Sequence, residues 1–317
     1  MKIVLLEPLA INDEELQKFA ETIREMGHEF VAYDTVEKDT QGLIQRAKDA
    51  DVIIITNNPL NGEVINSLEN LKYIAVAFTG VDHVDLEACR KRGIKVSNAR
   101  GYATEAVAEL TIGMIITLLR NLVACDQVTR IGGTKAGLVG SELNGKTVGI
   151  VGTGAIGLRT AEILKAFNCK LLGYSRSYSE KAIDLGIKYV SLEELLASSD
   201  IVSLHVPLTE QTKGLINKEN IRLMKRNAIL INVARGPVVD SEALAMALDN
   251  GIIAGAGIDV YEVEPPIPTD HPLLKAKNVL ATPHVAFATH ESMLKRAAIV
   301  FDNIRAWLNG EDKNLVI

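Results

Sequence analysis

Cysteine is scarce in this chain: Cys89, Cys125 and Cys169 are the three among 317 residues. An odd, widely spaced set forms neither a disulfide framework nor a zinc site, and it suits a reducing compartment. No excess of positive charge exists either. Lys and Arg total 34 against 40 Asp and Glu, a net charge of −6, so no broad cationic field is on offer. Neither nucleic acid nor an anionic membrane is therefore expected as a partner. Long apolar runs are also lacking. The opening Met1–Leu6 stretch is too short for a signal peptide. Leu110–Leu119 is interrupted by Gly and Thr and stops at Arg120, well short of the roughly 20 residues of a membrane span. It reads as a buried helix. Low-complexity tracts and short-period repeats are absent.

What is present is an ordinary globular composition, 47 % apolar and 23 % charged. The length corresponds to about two domains. A chain of this size buries roughly three quarters of its unfolded surface, so it needs no metal or disulfide staple. The expectation is a soluble, cytoplasmic, two-domain protein.

Short β-branched runs alternate with helix-length amphipathic segments. Lys2–Leu6, Glu29–Tyr33, Val52–Thr56, Tyr73–Phe78 and Ile94–Ser97 read as strands. Asp13–Met26 and Asp85–Arg92 read as helices, the first capped by Asn12 or Asp13. Apolar strands alternating with helices predict a parallel sheet covered on both faces. One long helix is expected from Glu105 to Arg130, followed by a glycine-rich loop over Ile131–Gly145. A second series then brings six strands: Thr147–Val151, Leu171–Tyr174, Asp200–Leu204, Ala228–Val233, Ala256–Asp259 and Val279–Thr282. Between them lie helices at Ala155–Phe167, Leu192–Ala197 and Ser241–Asp249, with a last one at Glu291–Leu308. Six strands make a complete dinucleotide fold.

Gly152-Thr153-Gly154-Ala155-Ile156-Gly157 matches G-x-G-x-x-G after a strand and before a helix. Gly152 permits the tight turn, Gly154 the approach of a pyrophosphate, and Gly157 close packing of helix on strand. The helix start adds free N–H groups and a positive dipole end. Such a site usually takes an acidic residue about 20 positions on, for the ribose 2′-hydroxyl. Here the second strand ends in Tyr174-Ser175-Arg176 instead. Ser175 can hydrogen-bond without charge and Arg176 can pair with a 2′-phosphate, so the reading is NADP or NAD, leaning to NADP.

Three consecutive strand ends present Arg235, Glu264 and His284. Ligands sit at the carboxyl ends of strands in such sheets. Hydride transfer to a carbonyl needs a proton donor, which an imidazolium supplies. A carboxylate favours and orients the charged imidazole, and a guanidinium polarises the carbonyl. His205 ends another strand, beside the same cofactor crevice. His28, His83, His271 and His290 read as exposed or structural.

These pieces, with Gly80–Asp85, Ala106–Glu109, Asn232–Asp240, Asp259–Pro266 and Thr282-Pro283-His284, make the chain resemble the D-isomer-specific 2-hydroxyacid dehydrogenase family over nearly its whole length. The resemblance implies an α/β fold of two Rossmann-like doubly wound parallel-sheet domains. The NAD(P)-binding domain, 99–287, is inserted into a flavodoxin-like substrate domain made of 1–98 and 288–317. It implies Arg235 as substrate anchor, His284 as acid/base and Glu264 as its partner. Substrate contacts fall on Thr79, Gly80 and Tyr102. Cofactor contacts fall on Thr104, Gly152, Gly154, Ala155, Ile156, Gly157, Ser175, Arg176, His205, Val206, Pro207, Thr212, Val233, Ala234, Asp259 and Ala286, with Asp259 toward the nicotinamide carboxamide. No metal is implied. A homodimer through the cofactor domain and the Glu105–Arg130 helix is expected.

Two departures stand out. The Arg-x-Gly-x-Trp segment common in the family is Arg130-Ile131-Gly132-Gly133-Thr134 here, and the single tryptophan is Trp307. With Ile317 as the last residue, no appended regulatory domain of the kind many phosphoglycerate dehydrogenases carry is expected. The expected reaction moves a hydride between NAD(P)H and a small 2-oxo acid such as glyoxylate, hydroxypyruvate or pyruvate. The second reading is a cofactor-sensing, corepressor-like binding protein on the same fold.

Overall fold

The computed structural model describes residues 1–264 and 266–317; Pro265, within the Asp259–Pro266 motif, lies outside the described residues. The chain divides into two units, one of Met1–Ala103 with Ala288–Ile317 and the other of Thr104–Phe287. The first crossing falls five residues later than the expected 98/99. Ala99 N–H bonds to Phe78 O and Tyr102 N–H to Ala99 O, which keeps this turn with the first unit.

In the first unit, β1 (Lys2–Leu5), β2 (Glu29–Ala32), β3 (Val52–Ile55), β4 (Tyr73–Val76) and β5 (Lys95–Asn98) form an all-parallel sheet in the order β2-β1-β3-β4-β5. That is the flavodoxin-like order. Strands β3 and β4 are buried at every position, as a sheet covered on both faces requires. Its helices are α1 (Asp13–Glu25), α2 (Thr40–Arg46), α3 (Gly62–Ser67) and α4 (Leu86–Arg92). Asn12, Asp39, Asn61 and Asp85 cap them, each side chain accepting a backbone N–H of the first turn.

In the second unit, α5 (Thr104–Leu119) and α6 (Leu122–Arg130) precede β6 (Thr147–Val151), α7 (Ala155–Ala166), β7 (Lys170–Tyr174), α8 (Glu180–Leu185), β8 (Lys188–Tyr189), α9 (Leu192–Ser198) and β9 (Ile201–Leu204). Then come β10 (Ile229–Asn232), α10 (Ser241–Asp249), β11 (Gly255–Ile258), α11 (Pro272–Lys275) and β12 (Val279–Ala281). The chain returns to the first unit through α12 (His290–Leu308). The second sheet has the order β12-β11-β10-β9-β6-β7-β8, again parallel. It is the doubly wound dinucleotide order with one further strand beyond β11. The strand that was not anticipated is β8, two residues long and too short to show periodicity.

The expected single helix from Glu105 to Arg130 is two helices bent by 59°. Asn121 breaks it, sitting in the left-handed region at φ 53°. The apolar run lies in α5, whose Val107, Ile112, Met114 and Ile115 are buried. Gly257 on β11 lets α5 approach, since a Cβ there would press on Met114. Among the described residues no single helix is long and apolar enough to cross a membrane. In α12, Phe301 stacks on Phe19 at 5.1 Å and the half-buried Trp307 on buried Tyr73 at 4.8 Å, so the one tryptophan packs against the core of the first unit.

Candidate active site

Gly152, at φ 99°, occupies a conformation that only glycine adopts without strain, and a Cβ there would press on the His205 carbonyl. A Cβ on Gly157 would collide with the Gly152 carbonyl. Gly154 caps α7 and has nothing within 4 Å of its Cβ direction. It is exposed, as is Ala155. The first N–H groups of a helix have no intrahelical acceptor. This exposed, positively polarised turn fits a dinucleotide pyrophosphate.

Around it, Ser175 is half-buried and Arg176 exposed, its Nη1 donating to Gln211 Oε1 at 3.5 Å. Thr212 Oγ1 donates to Pro207 O at 2.6 Å and accepts Thr209 N–H at 2.8 Å, closing the loop after His205, Val206 and Pro207. The His205 ring bonds Ser203 Oγ through Nε2, and burial pushes its pKa down to about 4, so it is neutral at physiological pH. Val233 and Ala286 are buried, Ala234 and Thr104 half-buried. Sequence reasoning did not foresee Tyr189. Its hydroxyl touches Thr153 Oγ1 at 2.7 Å and accepts Ser179 N–H at 3.1 Å, tying the glycine turn to the loop beyond Arg176.

At the ends of β10, β11 and β12 stand Arg235, Glu264 and His284. Glu264 Oε1 lies 2.8 Å from His284 Nδ1, both side chains about four-fifths buried. The carboxylate's other oxygen accepts Tyr261 N–H at 3.3 Å. The His284 ring meets Phe287 edge-on at 5.3 Å. Arg235 precedes a 3₁₀ turn over Gly236–Val238, and its Nη1 donates to Ala234 O. Buried Asn232 shapes that turn, accepting Ala234 N–H and donating to Arg235 O. A Cβ on Gly236 would collide with the Tyr261 carbonyl, so the Arg235 segment lies directly against the segment that leads to Glu264.

His284 has φ 54°, a left-handed backbone in a residue that is not glycine. Strain of this kind collects at functional sites. Asp259 holds it in place. Its Oδ1 accepts Thr282 Oγ1–H and Val285 N–H, its Oδ2 accepts Ala286 N–H, and its carbonyl accepts His284 N–H. Asp259 exposes no surface, and burial raises its carboxyl above the usual range against the pull of these bonds and of His284. Its evident duty is to anchor the His284 loop, which sequence reasoning did not assign to it.

In the first unit, Thr79 and Gly80 follow β4 at a strand's carboxyl end. Asn98 Nδ2–H donates to Thr79 O at 2.7 Å. Tyr102 is buried, its ring beside Phe78 at 6.0 Å. It also contacts Arg296, a residue only 4 % exposed whose guanidinium donates to Leu9 O at 2.7 Å. Burial lowers the Arg296 pKa, and the Tyr102 and Glu7 contacts oppose this. Glu7, also buried, accepts Thr56 N–H at 2.6 Å and the Asn58 side chain, fixing the loop after β3. Neither Glu7 nor Arg296 was singled out from the sequence.

Residues 112–286 match the family described as D-isomer specific 2-hydroxyacid dehydrogenase, NAD binding domain. Glyoxylate reductase of Thermofilum pendens is 44 % identical over 273 residues, covering 84 % of this chain and 80 % of that protein. Hydroxypyruvate reductase of Blautia hydrogenotrophica is 35 % identical over 328 residues, covering 100 % and 99 %. Among solved structures, an acyclic imino acid reductase in complex with NADPH and D-Arg superposes with a TM-score of 0.90 at 29 % identity, with full coverage of both chains. The fold and site define a nicotinamide-dependent oxidoreductase. The chain belongs to the D-isomer-specific 2-hydroxyacid dehydrogenase family.

Proposed function

We propose that this protein reduces small 2-oxo acids of the glyoxylate, hydroxypyruvate or pyruvate type to D-2-hydroxy acids, with His284 as acid/base. The observation that carries this is the Glu264–His284 contact at a strand's carboxyl end, beside a built dinucleotide turn. Glu264 takes Nδ1 of the imidazole, and Nε2 is the atom that hands a proton to the carbonyl oxygen of the substrate. The carboxylate orients the ring and favours its charged form. Arg235 anchors the substrate and stabilises charge developing on its oxygen. Thr79 and Gly80 receive the substrate carboxylate on their N–H groups, which donate to no other partner among the described residues. Tyr102 is the third proposed substrate contact.

The glycine turn, Ala155 and Ile156 hold the pyrophosphate. Ser175 and Arg176 take the adenosine ribose and favour NADP over NAD, because a guanidinium pairs with a 2′-phosphate and no carboxylate opposes it. His205, Val206, Pro207, Thr212, Val233, Ala234, Ala286 and Thr104 line the remaining length. When bound, the dihydronicotinamide supplies the hydride.

A homodimer forms through α6 and the loop after it. None of the residues of α6 is buried, and Ile131 and Val139 are each 84 % exposed, an apolar surface suited to a second copy. The protein works in the cytoplasm, in keeping with its free cysteines. The corepressor-like reading has no such support, since the named relatives are reductases. Oxidation of NADPH and NADH by purified protein against a panel of 2-oxo acids tests the proposal. NADPH consumption with glyoxylate or hydroxypyruvate is expected. Dinucleotide binding with no turnover on any member of the panel would reject it.

A further inference from the structure

Glu264 sits in the connection between β11 and α11, and that connection is closed at its base by a cluster the reaction does not use. Ser241 Oγ–H, at the start of α10, donates to Glu262 Oε1 at 2.5 Å. Glu262 Oε2 lies 2.9 Å from His271 Nε2, nine residues on. Leu273 N–H donates to His271 Nδ1 at 3.3 Å, so Nδ1 is the acceptor and Nε2 carries the hydrogen toward Glu262. The His271 side chain is 9 % exposed and its ring stands edge-on to Tyr261 at 5.2 Å. Burial would raise the Glu262 carboxyl, but the Ser241 and His271 bonds hold it below the usual range, so it is ionised at neutral pH.

One carboxylate thus joins three elements, the start of α10, the start of α11 and the end of β11. Between its anchors, Val263 is 60 % exposed. Glu264 is in that stretch, and its Oε2 is tied to Tyr261 N–H, the residue on which His271 rests. The Arg235–Gly236 segment also packs on the Tyr261–Glu262 backbone. We infer that Ser241, Glu262 and His271 form a clasp that positions Glu264 against His284, making Glu262 and His271 positioning residues for proton transfer. The inference rests on the reading of His284 as acid/base. A carboxylate displaced by about 1 Å no longer orients an imidazole or favours its charged form, and misplacement on that scale costs up to about a hundredfold in rate. Asp259 also faces His284 and stays in place, because its anchors are in the 282–286 loop and not in the clasp.

The test compares Glu262→Ala, Glu262→Gln and Ser241→Ala in full-length protein. Gln accepts from His271 and donates to the Ser241 hydroxyl, so it keeps both bonds while removing the charge. Glu262→Ala is expected to lower kcat by about tenfold or more with KM and NADPH affinity little changed. It also moves the alkaline fall-off of 2-oxo acid reduction to lower pH. Glu262→Gln restores both. If Glu262→Ala does not fold, Ser241→Ala reads out the same direction with a smaller effect. A folded Glu262→Ala or Ser241→Ala protein with the parental kcat and pH profile overturns the clasp, as does a Glu262→Gln enzyme as impaired as Glu262→Ala. His284→Gln run alongside separates the two ideas: full turnover in that variant rejects the acid/base reading itself, whatever the clasp variants do.

Discussion

Glu264 Oε1 lies 2.8 Å from Nδ1 of His284, the two having come from the ends of neighbouring strands. On the proposed acid/base role of His284, the two directions of the reaction respond oppositely to loss of the carboxylate charge: reduction would use the protonated imidazole and oxidation the neutral one. Glu264→Gln keeps an acceptor for Nδ1–H but removes the negative charge that favours the proton. Reduction in this variant is expected to fall off at lower pH than in the parent, while oxidation persists to lower pH. Initial rates in both directions between pH 5 and 9 check it, and a variant in which neither limb moves would reject the partnership.

His284 has a left-handed backbone, so substitutions there can distinguish backbone strain from the proposed acid/base role. Asn tolerates this conformation better than other non-glycine residues, and Ala does not. His284→Asn is therefore expected to unfold in denaturant near the parental midpoint with turnover lost by orders of magnitude. His284→Ala should lose activity equally and about 1 kcal/mol of stability besides. Equal stability of the two variants would show that the strain is not borne at this residue.

Arg176 is exposed at the end of β7, held only loosely by Gln211 at 3.5 Å. Its charge is available to a 2′-phosphate. Arg176→Ala should weaken NADPH by roughly tenfold or more, the value of a charge-assisted hydrogen bond, and leave NADH nearly unchanged. Dissociation constants from fluorescence titration decide it; equal losses for the two dinucleotides would remove the phosphate contact.

Asp200 immediately precedes β9 and ties three segments together. It accepts Thr147 N–H at 2.8 Å and pairs with Lys225 at 2.8 Å. Burial alone would raise its carboxyl, but the Lys225 and Thr147 bonds hold it below the usual range. A carboxyl lowered in the folded state stabilises above its unfolded pKa, and that contribution is lost as pH falls through the folded value. Asp200→Asn is expected to cost about 1 kcal/mol at pH 7 and progressively less below pH 4. Urea denaturation at pH 7 and pH 3 measures the difference; a cost independent of pH would contradict the assignment.

The strands were legible because a sheet covered on both faces demands runs such as Val52–Ile55 and Tyr73–Val76, buried at every position. The dinucleotide turn was legible because each of its glycines answers a local steric demand, as Gly152 does at φ 99°. Strand β8, two residues long, left no pattern to read. The break between α5 and α6 was hidden for another reason. Asn121 is an acceptable helix residue by type, and only its left-handed conformation ends the helix. His271 read as an ordinary loop histidine, since nothing local marks its bond to Glu262.

By itself the sequence determined two parallel α/β sheets, the phosphate-binding turn, and an arginine, a glutamate and a histidine at successive strand ends. Those features follow from periodicity, glycine sterics and chain order, which are properties of neighbours along the chain. Tertiary structure alone decided that Glu264 takes Nδ1 of His284, that Asp259 is buried to hold the His284 backbone in its strained turn, and that Glu262 binds Ser241 and His271 together. These depend on how strands β10, β11 and β12 stand side by side, and the free energy of a buried carboxylate depends on partners that arrive from distant segments of the chain.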